Sequence, residues 1–175
     1  MIDYHVHTDL SADCDVPMAD MARAAAAAGI RELCFTEHID IDMPGELIFS
    51  VDFERYRAAL RETRAAFPQL AVRMGIEAGL DMGTKDEMSA LLNGVDYVIG
   101  SQHLVYGEDP YYQRVWEGRS QRQLYVDSLA ESLRCAQGCD FYDVLGHLGY
   151  IAKFCPHPDK LMRYADFTDA IDAIL

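Results

Sequence analysis

Short apolar segments alternate with longer amphipathic segments along almost the whole 175-residue chain. Apolar and β-branched runs predict strands at residues 2–6, 32–36, 71–76, 95–100 and 141–145. Helical periodicity predicts helices at 17–28, 53–67, 85–92 and 120–136, with Pro17 near the start of the first helix and Gly29 just past its end. Strands that alternate with helices form a parallel sheet. Five such units without an internal break favour a barrel-like α/β fold in one domain.

Potential metal ligands stand at or just after the end of every predicted strand. They are His5 and His7 for the first strand, His38 for the second, Glu77 for the third, His103 for the fourth and His147 for the fifth. Only His157, between two prolines, has no such place. One histidine taken alone is more often a hydrogen-bonded structural residue, but core packing does not predict this joint distribution. In a parallel barrel all these strand ends lie on one face, so the side chains should converge in one pocket.

The first two histidines alternate in an extended segment. Their rings should therefore point the same way and bind one cation together. Asp13, six residues after His7, can reach the same pocket from the following loop. Imidazole combined with carboxylate suits Zn, Fe or Mn better than Mg or Ca.

Charge and hydropathy restrict the partners. The chain has 15 Lys and Arg against 29 Asp and Glu, a formal charge of −14, which repels the phosphate backbone of nucleic acids. An enzyme with this charge could act on a small phosphate ester only if bound divalent cations reversed the field locally. The longest apolar stretch, residues 21–30, contains Arg23 and is shorter than the ~20 residues of a membrane span, so no membrane partner is expected.

Five cysteines, an odd number, in a chain with no recognisable export signal predict reduced thiols and a cytoplasmic location. A zinc site built from Cys135, Cys139, Cys155 and His157 is an alternative. Its spacing matches none of the usual zinc modules, and buried free thiols fit better.

Residues 105–118 form a long loop that holds Tyr106, Tyr111 and Tyr112. Loops of this length are usually functional or mobile. We expect the tyrosines either to pack against a bound substrate or to serve as ordinary loop anchors.

Several motifs, taken in order, resemble the polymerase-and-histidinol-phosphatase (PHP) superfamily, and within it the histidinol-phosphate phosphatases. They are Asp-Tyr-His-Val-His-Thr from Asp3, Asp13, Thr36-Glu37-His38, Gly75-Ile76-Glu77-Ala78-Gly79, Gly100-Ser101-Gln102-His103 and Gly146-His147-Leu148. The resemblance implies a distorted barrel of seven βα units, of which about five N-terminal units are present. It also implies a cluster of two to three divalent ions.

The resemblance assigns the ligands to individual ions. It implies that His5 and His7 hold the first ion, His103 and His147 the second, and Asp13 with His38 the third, with Glu77 bridging the first two. Lys153 would bind the substrate phosphate. The implied reaction is hydrolysis of L-histidinol phosphate to L-histidinol and phosphate, in histidine biosynthesis, by attack of a metal-bound hydroxide.

One part of the family pattern is missing. The family completes its site with an Asp-x-His motif near the end of the barrel, and residues 169–174 contain no histidine. We therefore expect residues 1–175 to be a single, C-terminally incomplete domain, with about the last third of a ~250-residue barrel absent. Such a chain should self-associate or bind a separate C-terminal fragment. The alternatives are a PHP-type nuclease or phosphodiesterase, and an inactive metal-binding fragment that needs a partner chain.

Overall fold

The computed structural model describes all 175 residues and contains one five-stranded sheet. Its strands are β1 (Ile2–Val6), β2 (Glu32–Ile39), β3 (Ala71–Gly79), β4 (Tyr97–Ser101) and β5 (Val144–Leu145). Its helices are α1 (Met18–Ala27), α2 (Phe53–Ala66), α3 (Lys85–Leu91), α4 (Gln121–Gly138), α5 (Tyr150–Lys153) and α6 (Thr168–Ile174). The strands pair in parallel and in chain order, β1-β2-β3-β4-β5. This sequential order confirms the predicted part of a βα barrel.

The central strands are longer than predicted. β2 and β3 end at Ile39 and Gly79, each three residues beyond its predicted end, and they pair continuously from Glu32 with Ala71 to Ile39 with Ala78. His38 and Glu77 therefore lie inside strands rather than after them. They are direct cross-strand neighbours in this register, so the sheet itself sets their proximity.

The last two strands of the sheet, β4 and β5, differ from the prediction in the opposite way, because both begin later than predicted. β4 begins at Tyr97 instead of residue 95, and β5 is confined to Val144–Leu145 instead of 141–145. Carboxylates explain both differences. Asp96 and Asp143 each accept a hydrogen bond from a backbone N–H of the neighbouring strand, at 2.9 and 2.8 Å, so side chains replace ladder bonds there.

Helix α2 is fixed to the sheet by capping and by one buried tyrosine. The Asp52 carboxylate accepts hydrogen bonds from the N–H groups of Glu54 and Arg55 at its start. The fully buried Tyr56 donates its hydroxyl to the carbonyl oxygens of Phe35 and Gly75, at 2.7 and 3.0 Å. These bonds hold α2 across β2 and β3.

The loop at 105–118 is ordered by a second apolar core beneath α4. Val115 and Trp116 pack in that core with Leu124 and Leu129 of the helix. The Trp116 indole also donates to the carbonyl oxygen of Pro110 at 2.9 Å. This packing and the indole hydrogen bond fix the conformation of the loop, including Tyr111 and Tyr112, which line a cavity.

The alternative zinc site is not assembled. Cys135 and Cys139 pack in one apolar cluster and Cys155 in another, while His157 is exposed. All five cysteines are free thiols. None of the helices is both long enough and apolar enough to span a bilayer.

Candidate metal centre

Glu77 is the centre of a pocket at the carboxyl ends of the strands. Its side chain is 1% exposed, and five imidazoles surround it. The Nε2 atoms of His5, His7 and His38 lie 2.7, 3.2 and 3.5 Å from Oε2, and those of His103 and His147 lie 3.3 and 2.8 Å from Oε1. The two oxygens of one carboxylate thus face two separate groups of imidazoles.

The fold brings these residues together as the sequence predicted. His5 and His7, two residues apart at the end of β1, direct their Nε2 atoms to the same oxygen of Glu77. His103 and His147 follow β4 and β5, with ring centroids 5.5 Å apart. Residues separated by up to 142 positions therefore meet in one pocket because parallel strand ends lie on one face.

Asp13 joins this group from the loop after β1. Its Oδ2 lies 3.5 Å from Nε2 of His38, and the side chain is 42% exposed. It is the most exposed of the predicted ligands. It contacts one histidine, whereas Glu77 contacts five.

A buried carboxylate that is not aimed at the pocket holds this loop in place. Glu37, next to His38 in β2, is fully buried. It accepts hydrogen bonds from the N–H and hydroxyl of Thr8, at 3.1 and 2.7 Å, and from the hydroxyl of Ser11 at 2.6 Å. Ser11 in turn accepts a bond from the N–H of His38 at 3.0 Å. The loop that carries Asp13 is therefore tied to the end of β2.

Asp40 is a further buried carboxylate of the pocket, one that the sequence analysis did not predict as a site residue. Its side chain is 6% exposed, and its Oδ1 lies 2.6 Å from Nδ1 of His103. Its Oδ2 lies 3.3 Å from Nδ1 of His38. Both of these histidines point their other nitrogen, Nε2, at Glu77.

The carboxylates make the pocket strongly favourable to positive charge. Burial alone would lower the pKa of His38, but its contacts with Asp13 and Asp40 outweigh burial and raise the pKa to about 10. Burial would also lower the pKa of His103, but its contacts with Asp40 and Glu77 outweigh burial and raise that pKa to about 9. Burial would raise the pKa of Glu77, yet the hydrogen bonds from the histidines hold it well below its ordinary value.

The donor set fits divalent cations better than it fits hydrogen bonding alone. A carboxylate with about four lone-pair positions cannot satisfy five imidazoles by itself. Three sets of ligand atoms lie within 4.8 Å of one another: His5, His7 and Glu77; His7, Asp13 and His38; and His38, Glu77 and His103. Imidazole nitrogen with carboxylate oxygen is the donor combination of Zn, Fe and Mn sites.

A cavity of about 1030 Å³ opens in front of these ligands. Its wall includes Asp109, Tyr111 and Tyr112 from the loop at 105–118, and Lys153 and Phe154 after β5. Lys153 is exposed, with its Nζ 5.3 Å from the ring centroid of Phe154.

The three loop tyrosines have different surroundings. Tyr111 and Tyr112 line the cavity. Tyr106 turns away from it, since its hydroxyl donates to Asp127 and its ring faces Arg119. Only two of the three are therefore in a position to contact a ligand in the cavity.

The comparisons with known proteins agree with this geometry. A family model described as "PHP domain" matches residues 3–175. The chain is 30% identical to the histidinol-phosphatase of Lactococcus lactis, over 99% of this chain and 66% of the relative. It is 31% identical to a probable histidinol-phosphatase of Deinococcus radiodurans, over 88% of this chain and 62% of the relative. The chain thus spans about two thirds of the length of these curated relatives.

Two solved structures share the fold. A crystal structure of histidinol phosphate phosphatase from L. lactis, complexed with Zn, L-histidinol and phosphate, superposes with a TM-score of 0.93 at 29% identity. The match covers 99% of this chain and 67% of that one. A putative histidinol phosphatase from Listeria monocytogenes has a TM-score of 0.73 at 17% identity, covering 99% of this chain and 75% of that one, which shows the fold alone.

Proposed function

This chain belongs to the PHP domain family, and from that membership we propose that it is the metal-binding part of a phosphomonoesterase that hydrolyses L-histidinol phosphate. The observation that carries the proposal is the division of five imidazoles between the two oxygens of Glu77. The L. lactis relative, which binds Zn, L-histidinol and phosphate, supports the substrate.

We place the first two ions on opposite sides of the Glu77 carboxylate. His5 and His7 would hold the first ion, on the side of Oε2, and His103 and His147 the second, on the side of Oε1. Asp13 and His38 would hold a third ion, a grouping supported by the 3.5 Å between their ligand atoms. The ion set would be two to three of Zn, Fe or Mn, and Glu77 would bridge the first two.

Bound ions would supply a nucleophile at neutral pH by lowering the pKa of water, and would stabilise charge on the phosphoryl oxygens. The chain's own residues would position the ions and the substrate. Glu77 and the histidines fix the ligand geometry, and Lys153 at the rim of the cavity would contact the substrate phosphate. Hydrolysis adds one water across the P–O ester bond and releases L-histidinol and phosphate.

The remainder of the cavity suits the organic part of the substrate. Tyr111, Tyr112 and Phe154 offer aromatic faces on which an imidazole can pack, at about 0.5–1.5 kcal/mol for one well-placed pair. Asp109, on the same wall, is a carboxylate that can face the cationic amino group of histidinol. An aromatic wall with an acidic group is consistent with a cationic heteroaromatic alcohol as the leaving group.

Release of phosphate from L-histidinol phosphate tests the proposal. We expect His103→Ala to abolish turnover and to lower bound metal, because His103 is 4% exposed and faces Glu77. The matched control is His157→Ala, which removes an exposed histidine outside the pocket and should behave as wild type. Unchanged turnover and metal content in His103→Ala would contradict the proposal. Preferential cleavage of short oligonucleotides would favour a phosphodiesterase instead.

The open sheet supports a proposal about assembly. β1 pairs only with β2 and β5 only with β4, and Ile2 and Val144 at these edges are 64% and 40% exposed. Unpaired strand edges and exposed apolar side chains favour association. We propose that a second copy or a separate C-terminal polypeptide covers them. Sedimentation of the purified chain as a stable monomer that is fully active would contradict this.

A further inference from the structure

Asp40 is a buried carboxylate placed between two of the candidate ligands. Each of its oxygens faces a different ring: Oδ1 lies 2.6 Å from Nδ1 of His103, and Oδ2 lies 3.3 Å from Nδ1 of His38. Both contacts are to the nitrogen that points away from Glu77. The two imidazoles therefore have a carboxylate on one side and the metal pocket on the other.

Gly79, at the end of β3, provides the space for this carboxylate. A Cβ added at Gly79 would overlap Oδ1 of Asp40 and lie 2.8 Å from its Cγ. Position 79 thus has no room for a side chain while Asp40 keeps this conformation. The close approach gives a second, independent way to displace the carboxylate without altering it.

A carboxylate on one ring nitrogen has a defined effect on a metal-binding histidine. It accepts the Nδ1 proton, and so leaves Nε2 unprotonated, and it fixes the plane of the ring. Asp40 makes such a hydrogen bond to Nδ1 of His103, whereas its other oxygen lies 3.3 Å from Nδ1 of His38 as a charge contact, and that nitrogen has no hydrogen-bond partner of its own. Loss of its charge or of its position would therefore change both ligands at once.

We propose that Asp40 is a positioning residue that fixes the tautomer and orientation of His103 by a hydrogen bond and favours the Nδ1-protonated tautomer of His38 by its charge, and so supports two ion positions with one side chain. The inference rests on the proposed function, which assigns these histidines to different ions. It adds that the second and third ions depend on one shared residue that is not itself assigned as a ligand of either ion.

Metal titration of the apo chain with Zn²⁺, and with Co²⁺ as a spectroscopic probe, tests the inference. Asp40→Asn keeps the shape of the side chain but accepts from only one ring. We expect its Zn²⁺ affinity to fall about 10–100-fold at two positions, and the visible absorption of bound Co²⁺ to change. Gly79→Ala should cause the same changes by displacing the carboxylate, so it tests the idea even if Asp40→Asn does not fold.

Asp143→Asn is the matched control, because it removes a carboxylate that accepts a backbone N–H at the opposite ends of the strands. It should lower stability without altering Zn²⁺ affinity or the Co²⁺ spectrum. Asp40→Asn and Gly79→Ala proteins that bind Zn²⁺ within twofold of wild type, with an unchanged Co²⁺ spectrum, would overturn the inference. His103→Ala separates the two ideas: if it binds Zn²⁺ normally, the proposed metal assignment itself has failed.

Discussion

Replacing Thr8 by valine should destabilise the chain although the shape of the side chain is preserved. The Thr8 hydroxyl donates to Oε1 of Glu37 at 2.7 Å, and the other two donors of this carboxylate both bind Oε2. The substitution therefore leaves one oxygen of a fully buried carboxylate without a partner. A hydrogen bond to a charged group contributes about 1.5–3 kcal/mol. The loss of the weaker bond from the N–H of Leu10, 3.3 Å from the same hydroxyl, adds to this cost.

Urea unfolding of the metal-free protein measures the effect. We expect Thr8→Val to lower the free energy of unfolding by about 2–3 kcal/mol with an unchanged m-value. For a chain of this length that corresponds to a fall of about 4–12 °C in Tm. Thr63→Val is the matched control, since Thr63 is also buried but its hydroxyl contacts no carboxylate. A Thr8→Val protein no less stable than Thr63→Val would refute the role given to the Glu37 network.

Three further results are expected. Glu77→Gln should reduce bound metal more than Asp13→Asn in side-by-side titrations, because five imidazoles meet the first carboxylate and one meets the second; equal losses would contradict a bridging role. Tyr111→Ala should raise the KM for L-histidinol phosphate by the equivalent of about 0.5–1.5 kcal/mol, and Tyr106→Ala should leave it unchanged; the reverse order would refute the assignment of the cavity wall. Lys153→Ala should raise the same KM at unchanged metal content, and an unaltered KM would mean that this lysine is only solvated.

The strand order and the convergence of the ligands could be predicted from the sequence, because both follow from the alternation of parallel strands with helices. The positions of His38 and Glu77 relative to their strands were predicted less accurately. They were expected after the strands, but β2 and β3 continue through them and pair as far as Ile39 with Ala78. Strand ends are set by tertiary pairing, which local propensity does not contain.

Asp40 could have been found by the rule that found the first histidine pair. It stands two residues after His38 in an extended segment, as His7 stands two residues after His5. Its contact with His103 was not predictable, because it depends on a glycine at position 79 of the neighbouring strand. The orientation of the Tyr106 side chain could not be predicted either, since its hydroxyl donates to Asp127 in α4, 21 residues away.

Anomalous diffraction from crystals grown with Zn²⁺ tests the metal centre most directly. We expect peaks on both sides of Glu77. One should lie about 2.0–2.1 Å from the imidazole nitrogens of His103 and His147, and one at the same distance from those of His5 and His7. Data with no peak between these histidine pairs and Glu77, or with zinc bound only at the cysteines, would show that this carboxylate does not bridge two metal ions.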